Sequence, residues 1–470
     1  MCENPSIIGI YHIMHFILYI RKNEYIYCLC SHHSIYEKNE RRTLYMKTAA
    51  IIAEFNPFHN GHAYLIKEAK KKTGADRVVI IMSGNFVQRG EPAFMDKFTR
   101  AEMALKNGAD LVVELPIVYA TGSAAYFALG AVKMVKKLRT VDYLCFGSET
   151  ANIELLKTIA SIIQNEDDIY TSTLQSYLKH GFSFARSREN AILKSIAMSG
   201  MNISAETVQS VLNSPNSILA IEYLIALKKS NCYAEPVAIK RTDAGYKNMG
   251  LTSSHVSAMA IRSLYQKPSV LTFNNIRETL SSLVPSTEHE LLEKYYKKTY
   301  PIYQHDFDNI IGYSLIKDRF EDLKIEDLFD STQELANRIR KFATSYTSIE
   351  AFTNDCNAPT ITTSRINRIL LYMLFGYTKG DFEEYKKDDY IYYFRVLGFN
   401  KEHSDLLSQI SKNTPFPIIT QPVRANEVLS KNGMKMFLTN MYADELYRMV
   451  AMNKYGYSIP TEEEHELAIL

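Results

Sequence analysis

Apolar and polar positions alternate along the first third of the chain in a way that predicts strands followed by helices. Residues 49–55 form an apolar run of strand length that ends at Asn56-Pro57, a turn signal. From Gly61 onward the apolar positions follow a three-to-four spacing, with lysines on the opposite face. The alternation continues with predicted strands at residues 77–83, 111–115 and 141–146 and predicted helices at residues 96–107 and 122–138. It predicts an α/β fold with a parallel sheet covered by helices.

The pattern changes after residue 152. The pattern predicts mostly helix over residues 152–229, one more strand at residues 235–241, and a helix at residues 257–265. Beyond Pro268 no strand pattern is convincing, and helices are predicted at residues 334–345, 365–376 and 440–455. We therefore expect an α/β domain over residues 46–268 and an all-helical domain over residues 269–470, which suits a chain of this length.

Residues 1–45 lack clear periodicity and precede the first convincing strand. Their apolar stretch at residues 7–20 is too short to span a bilayer, and it lacks a basic leader and a small-residue cleavage site. Met46 stands immediately before the strand pattern. We expect an N-terminal extension that is dispensable or results from a mis-assigned start, and no association with a membrane.

Charge and cysteine content narrow the class of protein. The formal net charge is +2, so nucleic-acid binding would need a local basic patch. The six cysteines show no paired zinc spacing. This composition fits a reducing, cytoplasmic location and predicts no structural metal site.

The sequence His59-Asn60-Gly61-His62 lies where the first predicted strand gives way to a helix. Unpaired backbone N–H groups and the positive end of the helix dipole favour an anion at such a helix start. Gly61 would let the backbone approach a phosphate, while the two imidazoles stabilise its charge. The pattern predicts a phosphate site, and a polar turn with two exposed histidines is the alternative.

Two further motifs follow predicted strands. Residues 84–92 contain two glycines, two side-chain amides and Arg89, with Lys97 and Arg100 soon after, which suits a polyphosphate or substrate loop, although Arg89 is equally compatible with a solvated surface. Ser257 begins a predicted helix that carries Arg262 one turn in, after the strand that ends at Arg241. A hydroxyl group, a helix start and an arginine together can hold phosphates.

Longer strings carry a family resemblance. In order along the chain, AEFNPFHNGH, GNFVQRGEPA, GADLVVELP, FGSE, SPNSILAIEYL and SAMAIR are similar to the tRNA(Met) cytidine acetate ligase family, within the H-x-G-H nucleotidylyltransferase superfamily. The resemblance is strong over residues 46–262 and weaker beyond. It implies a Rossmann-like nucleotidylyltransferase domain. The chain departs from the family's pattern at Leu65 and Lys247, where a histidine is usual.

The resemblance also implies an activity. The family makes acetyl-adenylate from acetate and ATP, with Mg²⁺ expected as the counter-ion, and then acetylates the wobble cytidine of elongator methionine tRNA. Stabilising a leaving pyrophosphate needs positioned cations rather than a protein nucleophile. Its implied catalytic residues are His59, His62 and Arg262. Its implied ATP contacts are Ile52, Ala53, Glu54, Phe55, Asn56, Pro57, Phe58, His59, Asn60, Gly61, His62, Ala63, Tyr64, Leu65, Gly147, Asn216, Arg241 and Ser257.

RNA binding must come from local basic faces. Four clusters are candidates, and each is equally compatible with a solvated helix face. They lie around Lys70, around Lys136, around Arg186, and in the helical part at Arg338, Arg340, Arg365 and Arg368. We expect those four arginines, with Arg89 and Lys97, to contact the substrate or the tRNA.

Three functions remain open from the sequence. The first is the acetate ligase, and the second is an adenylyltransferase acting on a small cofactor precursor. The third is a nucleotide- or RNA-binding protein without catalysis. The long helical part disfavours the second, because adenylyltransferases of that kind are compact, and the departures at Leu65 and Lys247 keep the third open.

Overall fold

The computed structural model describes residues 21–22, 25–26, 46–241, 257–266, 277–278, 280–321 and 324–470. Two compact units are present, Met1–Tyr45 and Met46–Leu470. In the first unit the backbone forms two short antiparallel strands, Arg21–Lys22 and Tyr25–Ile26. The rest of the predicted N-terminal extension, and Lys247, lie outside the described residues. The dispensability of the extension stays a prediction.

The second unit is built on one sheet of eight strands. Its strands are β1 (Thr48–Ala53), β2 (Arg77–Ser83), β3 (Leu111–Leu115), β4 (Tyr143–Ser148), β5 (Glu235–Lys240), β6 (Phe394–Phe399), β7 (Ile418–Ile419) and β8 (Ala468–Ile469).

The first five strands are parallel and lie in the order β3-β2-β1-β4-β5. This order places a crossover on each side of β1, as in a Rossmann-like sheet, and it brings the carboxyl ends of β1, β4 and β5 side by side. The three strands β1, β2 and β3 are apolar on both faces because helices cover both sides of the sheet, and β1 is buried along its whole length. The predicted parallel sheet is confirmed.

The expectation that no strand follows Pro268 is wrong. β6 pairs with the edge strand β3 in antiparallel orientation, and β7 and β8 each pair with β6 in parallel. Two features hid these strands in the sequence. β7 and β8 are two residues long, and Arg395 interrupts the apolar pattern of β6 although its side chain is buried. The remainder of the C-terminal part is helical, as predicted, and the boundary at residue 268 stays a prediction.

The helices are numbered along the chain. They are α1 (Asn60–Thr73), α2 (Lys97–Lys106), α3 (Ile117–Ala120), α4 (Ala124–Leu138), α5 (Ile153–Asn165), α6 (Asp168–Lys179), α7 (Phe184–Met198), α8 (Ala205–Leu212), α9 (Pro215–Lys229), α10 (Ala258–Leu264), α11 (His289–Tyr295), α12 (Asp308–Glu321), α13 (Gln333–Phe342), α14 (Ile349–Cys356), α15 (Thr363–Phe375), α16 (Lys379–Lys387), α17 (Asp405–Asn413), α18 (Ala425–Val428) and α19 (Lys431–Tyr455). Within the described residues, no helix combines the length and apolar character needed to cross a membrane.

Candidate functional site

A cavity of about 260 Å³ lies at the carboxyl ends of β1, β4 and β5. Its wall is formed by the loop after β1, the end of β4, the first turn of α9 and the start of α10. The predicted residues that line it are Ile52, Ala53, Glu54, Phe55, Asn56, His59, His62, Leu65, Arg89, Gly147, Asn216, Arg241, Ser257 and Arg262. Residues from six separate parts of the sequence therefore meet at one edge of the sheet.

His59 and His62 are fixed by the start of α1. His59 is the N-cap, and its Nδ1 accepts a hydrogen bond from the Gly61 N–H at 3.0 Å. The His59 N–H in turn donates to Nδ1 of His62 at 3.3 Å, which completes a capping box. Because both Nδ1 atoms act as acceptors, a neutral ring at either position carries its proton on Nε2.

The two imidazole rings form one stacked pair. Their centroids lie 3.7 Å apart, and the first turn of α1 contains no acidic residue. Burial lowers the pKa of His62 well below its usual value, and His59 and Arg241 lower it further. His62 is therefore neutral at physiological pH. Such a ring can donate a hydrogen bond through Nε2 and stays neutral near physiological pH.

Glu149 positions a second part of the wall. Its Oε1 accepts a hydrogen bond from Asn216 Nδ2, and its Oε2 accepts from the Ser217 N–H and the Ser217 hydroxyl. Asn216 Oδ1 accepts from Arg241 Nη1 at 3.4 Å. The Arg241 side chain also passes so close to Gly147 that a Cβ there would lie 3.3 Å from Arg241 Cγ. One carboxylate therefore orients α9, Asn216 and, through Asn216, Arg241.

Arg262 and Glu54 fix two further loops of the wall. Arg262 Nη1 donates to the carbonyl oxygen of Asn56 at 2.6 Å, and the Glu54 carboxylate accepts from the Gln88 N–H at 2.8 Å. Burial raises the pKa of Glu54, while the Gln88 N–H, Arg262 and Arg89 act against that rise. The loop of residues 84–92 is thereby held against the loop after β1.

Six residues of the predicted ATP-contacting run do not line the cavity. They are Pro57, Phe58, Asn60, Gly61, Ala63 and Tyr64. Two of them support the wall from behind. The Phe58 ring packs 4.9 Å from the Phe55 ring, and Asn60 Nδ2 donates to the Ser282 carbonyl oxygen at 2.9 Å.

Lys97 was predicted to contact substrate, but its side chain is buried away from the cavity. Its Nζ lies 3.0 Å from Glu114, 2.6 Å from Asp444 and 3.1 Å from Glu462. Among the described residues, these carboxylates are the group close enough together to hold a metal ion, and the ammonium group of Lys97 lies between them. The sequence did not anticipate this cluster because Asp444 and Glu462 are far from Lys97 along the chain.

Arg100 is also buried rather than facing a phosphate. Its guanidinium group donates to the carbonyl oxygens of Glu54, Ser83, Gly84 and Met95. It ties the loop after β1 to the loop after β2, and so it has a structural place beneath the site.

The four arginines of the helical part bond within the protein. Arg338 donates to three carbonyl oxygens at residues 355–357, and Arg340 pairs with Glu326. Arg368 pairs with Asp330 at 2.8 Å, and Arg365 donates to the Asp330 carbonyl oxygen. None of the four lines the cavity described above. Their contact with tRNA stays a prediction.

Sequence reasoning missed an apolar side of the cavity. Val87, Phe127, Phe146, Pro215, Leu219, Tyr223, Ala258 and Met259 contribute to the wall, together with Gln88 and Glu91. Of these residues, Val87, Gln88 and Glu91 lie in the run of residues 84–92 that the sequence singled out, and Ala258 and Met259 lie in the helix start at Ser257 that it also singled out. The aromatic residues carried no signal, since a buried core position and a ligand-facing position look alike in an apolar run.

The fold and the cavity define a nucleotide-binding protein of the nucleotidylyltransferase class. The model of the HIGH Nucleotidyl Transferase family matches residues 46–460. The tRNA(Met) cytidine acetate ligase of Thermoanaerobacter sp. (strain X514) is 38% identical over 409 residues, which covers 87% of this chain and 96% of the relative. That of Halothermothrix orenii is 37% identical over 403 residues, 85% of this chain and 93% of the relative.

A known crystal structure has a similar fold. Thermotoga maritima TmcAL bound with alpha-thio ATP matches with a TM-score of 0.80 at 29% identity, over 90% of this chain and 99% of that chain. The chain therefore belongs to the tRNA(Met) cytidine acetate ligase family of HIGH nucleotidyltransferases. The resemblance read from the sequence is confirmed.

Proposed function

We propose that this chain activates acetate with ATP and acetylates the wobble cytidine of elongator methionine tRNA. The observation that carries the proposal is the meeting of the H-x-G-H helix start with Asn216, Arg241 and Arg262 in one cavity at the strand ends. Support comes from relatives of that name aligned over 96% of their length, and from a neighbour bound with alpha-thio ATP.

The first step joins acetate to AMP. A carboxylate oxygen of acetate attacks the α-phosphorus of ATP, an oxygen–phosphorus bond forms, and the bond to pyrophosphate breaks. The leaving pyrophosphate gathers negative charge, so groups that stabilise it lower the barrier more than they stabilise the bound substrate. His59 and His62 would donate through Nε2, and Arg241 and Arg262 would supply positive charge at the same wall.

The second step transfers the acetyl group. The exocyclic amine of cytidine attacks the carbonyl carbon of acetyl-adenylate, the carbon–nitrogen bond forms, AMP leaves, and the amine proton is released. The mixed anhydride is already activated, so this step needs positioning of the base rather than a nucleophile of the protein. An RNA base must be exposed from its stack to reach such a cavity.

Other expected properties rest on the same proposal. ATP would be bound with Mg²⁺, and the carboxylates of the cavity wall, Glu54 and Glu91, are oxygen donors of the kind that Mg²⁺ prefers. Acetate and elongator methionine tRNA would be the other substrates. A cytoplasmic location stays a prediction.

The test supplies purified full-length chain with ATP, isotope-labelled acetate and an unmodified transcript of elongator methionine tRNA. The proposal expects labelled acetylcytidine at the wobble position by mass spectrometry of the digested tRNA, and none without ATP or with uridine at that position. Folded protein that binds ATP but transfers no label would contradict it and would favour the non-catalytic alternative.

A further inference from the structure

The helical hairpin formed by α6 and α7 exposes an unusual combination of side chains at its tip. Leu178, Phe182 and Phe184 are 39%, 44% and 57% exposed. Lys179 and Arg186 are exposed beside them. Scattered single apolar residues are ordinary on a surface, but three large exposed ones within seven residues make this tip a candidate interaction site.

The turn itself holds the aromatic groups in place. Gly181 has a φ of +81°, and its N–H donates to the Leu178 carbonyl oxygen. The Phe182 N–H donates to the Tyr177 carbonyl oxygen at 3.2 Å, and the Phe182 ring packs 5.3 Å from the Tyr177 ring. Phe182 is thus held by a Schellman turn with one side open.

The cations at the tip differ from those of the other basic clusters. Residues 169–188 contain Lys179, Arg186 and Arg188 and no acidic residue. Arg188 pairs with Glu222, whereas the Lys179 and Arg186 side chains have no ion pair or hydrogen bond with any residue that the structure describes.

The other clusters are largely neutralised within the protein. Lys70 pairs with Asp110 at 3.1 Å, and Lys133 and Lys137 share Asp389. The arginines of the helical part bond to Glu326, Asp330 and backbone carbonyl oxygens, as described above. Of the four candidate basic clusters, the α6–α7 tip therefore combines cations that have no described ion pair with exposed aromatic rings.

The tip is joined to the cavity wall through α9. Arg188 Nη2 donates to Glu222 Oε1 at 2.8 Å on α9, the helix whose first turn carries Asn216. Six residues of helix separate Asn216 from Glu222, about 9 Å along the axis. Phe184 and Arg186 lie within about one turn of Arg188.

We propose that the α6–α7 tip binds RNA, with Lys179 and Arg186 on backbone phosphates and Phe182 or Phe184 stacked on an unpaired base. Phosphate contacts set affinity without reading sequence, and aromatic rings stack on bases that leave the helix. The inference rests on the proposed function, since the RNA would be the methionine tRNA whose cytidine reaches the cavity.

The experiment compares two double variants of the full chain, Lys179→Gln/Arg186→Gln and Phe182→Ser/Phe184→Ser. Binding to a transcript of elongator methionine tRNA is measured over a series of salt concentrations. Each phosphate contact contributes about 0.7 to 0.9 to the slope of log affinity against log salt. The charge variant should bind about tenfold more weakly with a slope lower by one to two. The aromatic variant should bind about tenfold more weakly with an unchanged slope.

Matched controls make the same chemical changes elsewhere. Lys401→Gln/Lys412→Gln removes two exposed charges, and Tyr313→Ser/Phe320→Ser removes two aromatic rings that are 66% and 81% exposed. Both controls should retain wild-type affinity. Acetate-dependent exchange of pyrophosphate into ATP, measured without tRNA, should be unchanged in all four proteins.

Unchanged affinity in both tip variants, or an equal loss in the controls, overturns the inference, as does a wild-type chain that does not bind the transcript. A change of oligomeric state in the aromatic variant at unchanged affinity assigns the patch to a protein interface and also overturns it. A wild-type chain that binds the transcript through the tip but shows neither exchange nor acetyl transfer contradicts the proposed function alone.

Discussion

Two cavities of this protein differ in size, charge and place in the fold. The larger, about 520 Å³, lies against α2, α11, α19 and the C-terminal segment, and Asp96, Glu102, Asp444, Glu445, Glu462 and Glu466 are in its wall. The smaller, about 260 Å³, lies at the strand ends, where Arg89, Arg241, Arg262, His59 and His62 meet. We expect the first to repel a triphosphate and the second to attract one.

The comparison shows that volume and charged residues alone do not identify a site. Lys97 lies beside the carboxylates of the larger cavity. Its ammonium group already has three carboxylate partners, so it is not available to bind a phosphate. The smaller cavity combines cations with a helix start at the carboxyl ends of parallel strands. The placement on the sheet is the more informative feature.

The largest expected effect is a loss of folding stability when Lys97 is replaced. Burial alone would lower the pKa of Lys97, but Asp444, Glu114 and Glu462 together raise it, so the side chain is charged in the folded protein. Lys97→Met leaves buried carboxylates uncompensated and should reduce the free energy of unfolding by about 3–5 kcal/mol. Denaturant unfolding measures the loss. Lys67→Met, an exposed lysine, should change stability by no more than about 0.5 kcal/mol, and an equal loss in both variants would refute the structural role.

The second prediction distinguishes two roles of His59 and His62, which are capping of α1 through Nδ1 and the proposed contact with phosphate through Nε2. An asparagine at position 59 or 62 can accept through Oδ1 where Nδ1 accepts now, but it has no group at the place of Nε2. His59→Asn and His62→Asn should therefore retain the melting temperature and lose on the order of a hundredfold in acetate-dependent pyrophosphate exchange. His59→Gln and His62→Gln, which offer an amide nearer to Nε2, serve as the comparison. Exchange at the wild-type rate in the asparagine variants would remove both rings from the chemistry.

The third prediction concerns a residue that acts through others. Glu149→Gln keeps the shape of the side chain but cannot accept from Asn216 and Ser217 at once through two oxygens. We expect KM for ATP to rise about tenfold with a smaller change in kcat, because the loss of one charged hydrogen-bond acceptor loosens the wall. Glu154→Gln, an exposed residue of α5 that pairs with Lys157, is the control. A fall in kcat at unchanged KM would assign Glu149 a different role.

The smallest effect is a pH dependence of stability. The folded pKa of His62 lies well below the unfolded value of about 6.5, so the unfolded chain binds a proton that the folded chain does not. The stability that His62 would cost by titrating is fully retained well above pH 6.5. The free energy of unfolding then falls as the pH decreases toward the folded pKa of His62. Between pH 7.5 and 5.5 the wild type should lose more stability than His62→Asn, by on the order of 1 kcal/mol. Equal losses in the two proteins would mean that His62 titrates normally.

Much of the sheet was predictable because β1, β2 and β3 are buried on both faces. β1 to β5 appear as short apolar runs closed by turns, and their parallel order follows from the helices between them. β6 was missed because a buried arginine breaks its pattern. Arg395 is compensated by Glu462, whose place beside it depends on the C-terminal segment and not on local sequence.

The site was predictable where a motif also determines local structure. The H-x-G-H motif could be placed from the sequence because its two histidines form the start of α1 and also line the cavity. Lys97 and Arg262, by contrast, are both cations that follow strands in the sequence. Only the fold distinguishes a lysine surrounded by distant carboxylates from an arginine at the cavity wall.

The most direct test of the comparison is ATP binding by calorimetry to variants of each cavity. Arg241→Gln removes a cation from the wall at the strand ends, and Lys294→Gln removes one from the wall of the larger cavity. The account predicts that Arg241→Gln raises Kd for ATP about tenfold or more, while Lys294→Gln leaves it unchanged. Wild-type affinity in Arg241→Gln, or a loss confined to Lys294→Gln, would contradict the placement of ATP at the strand ends.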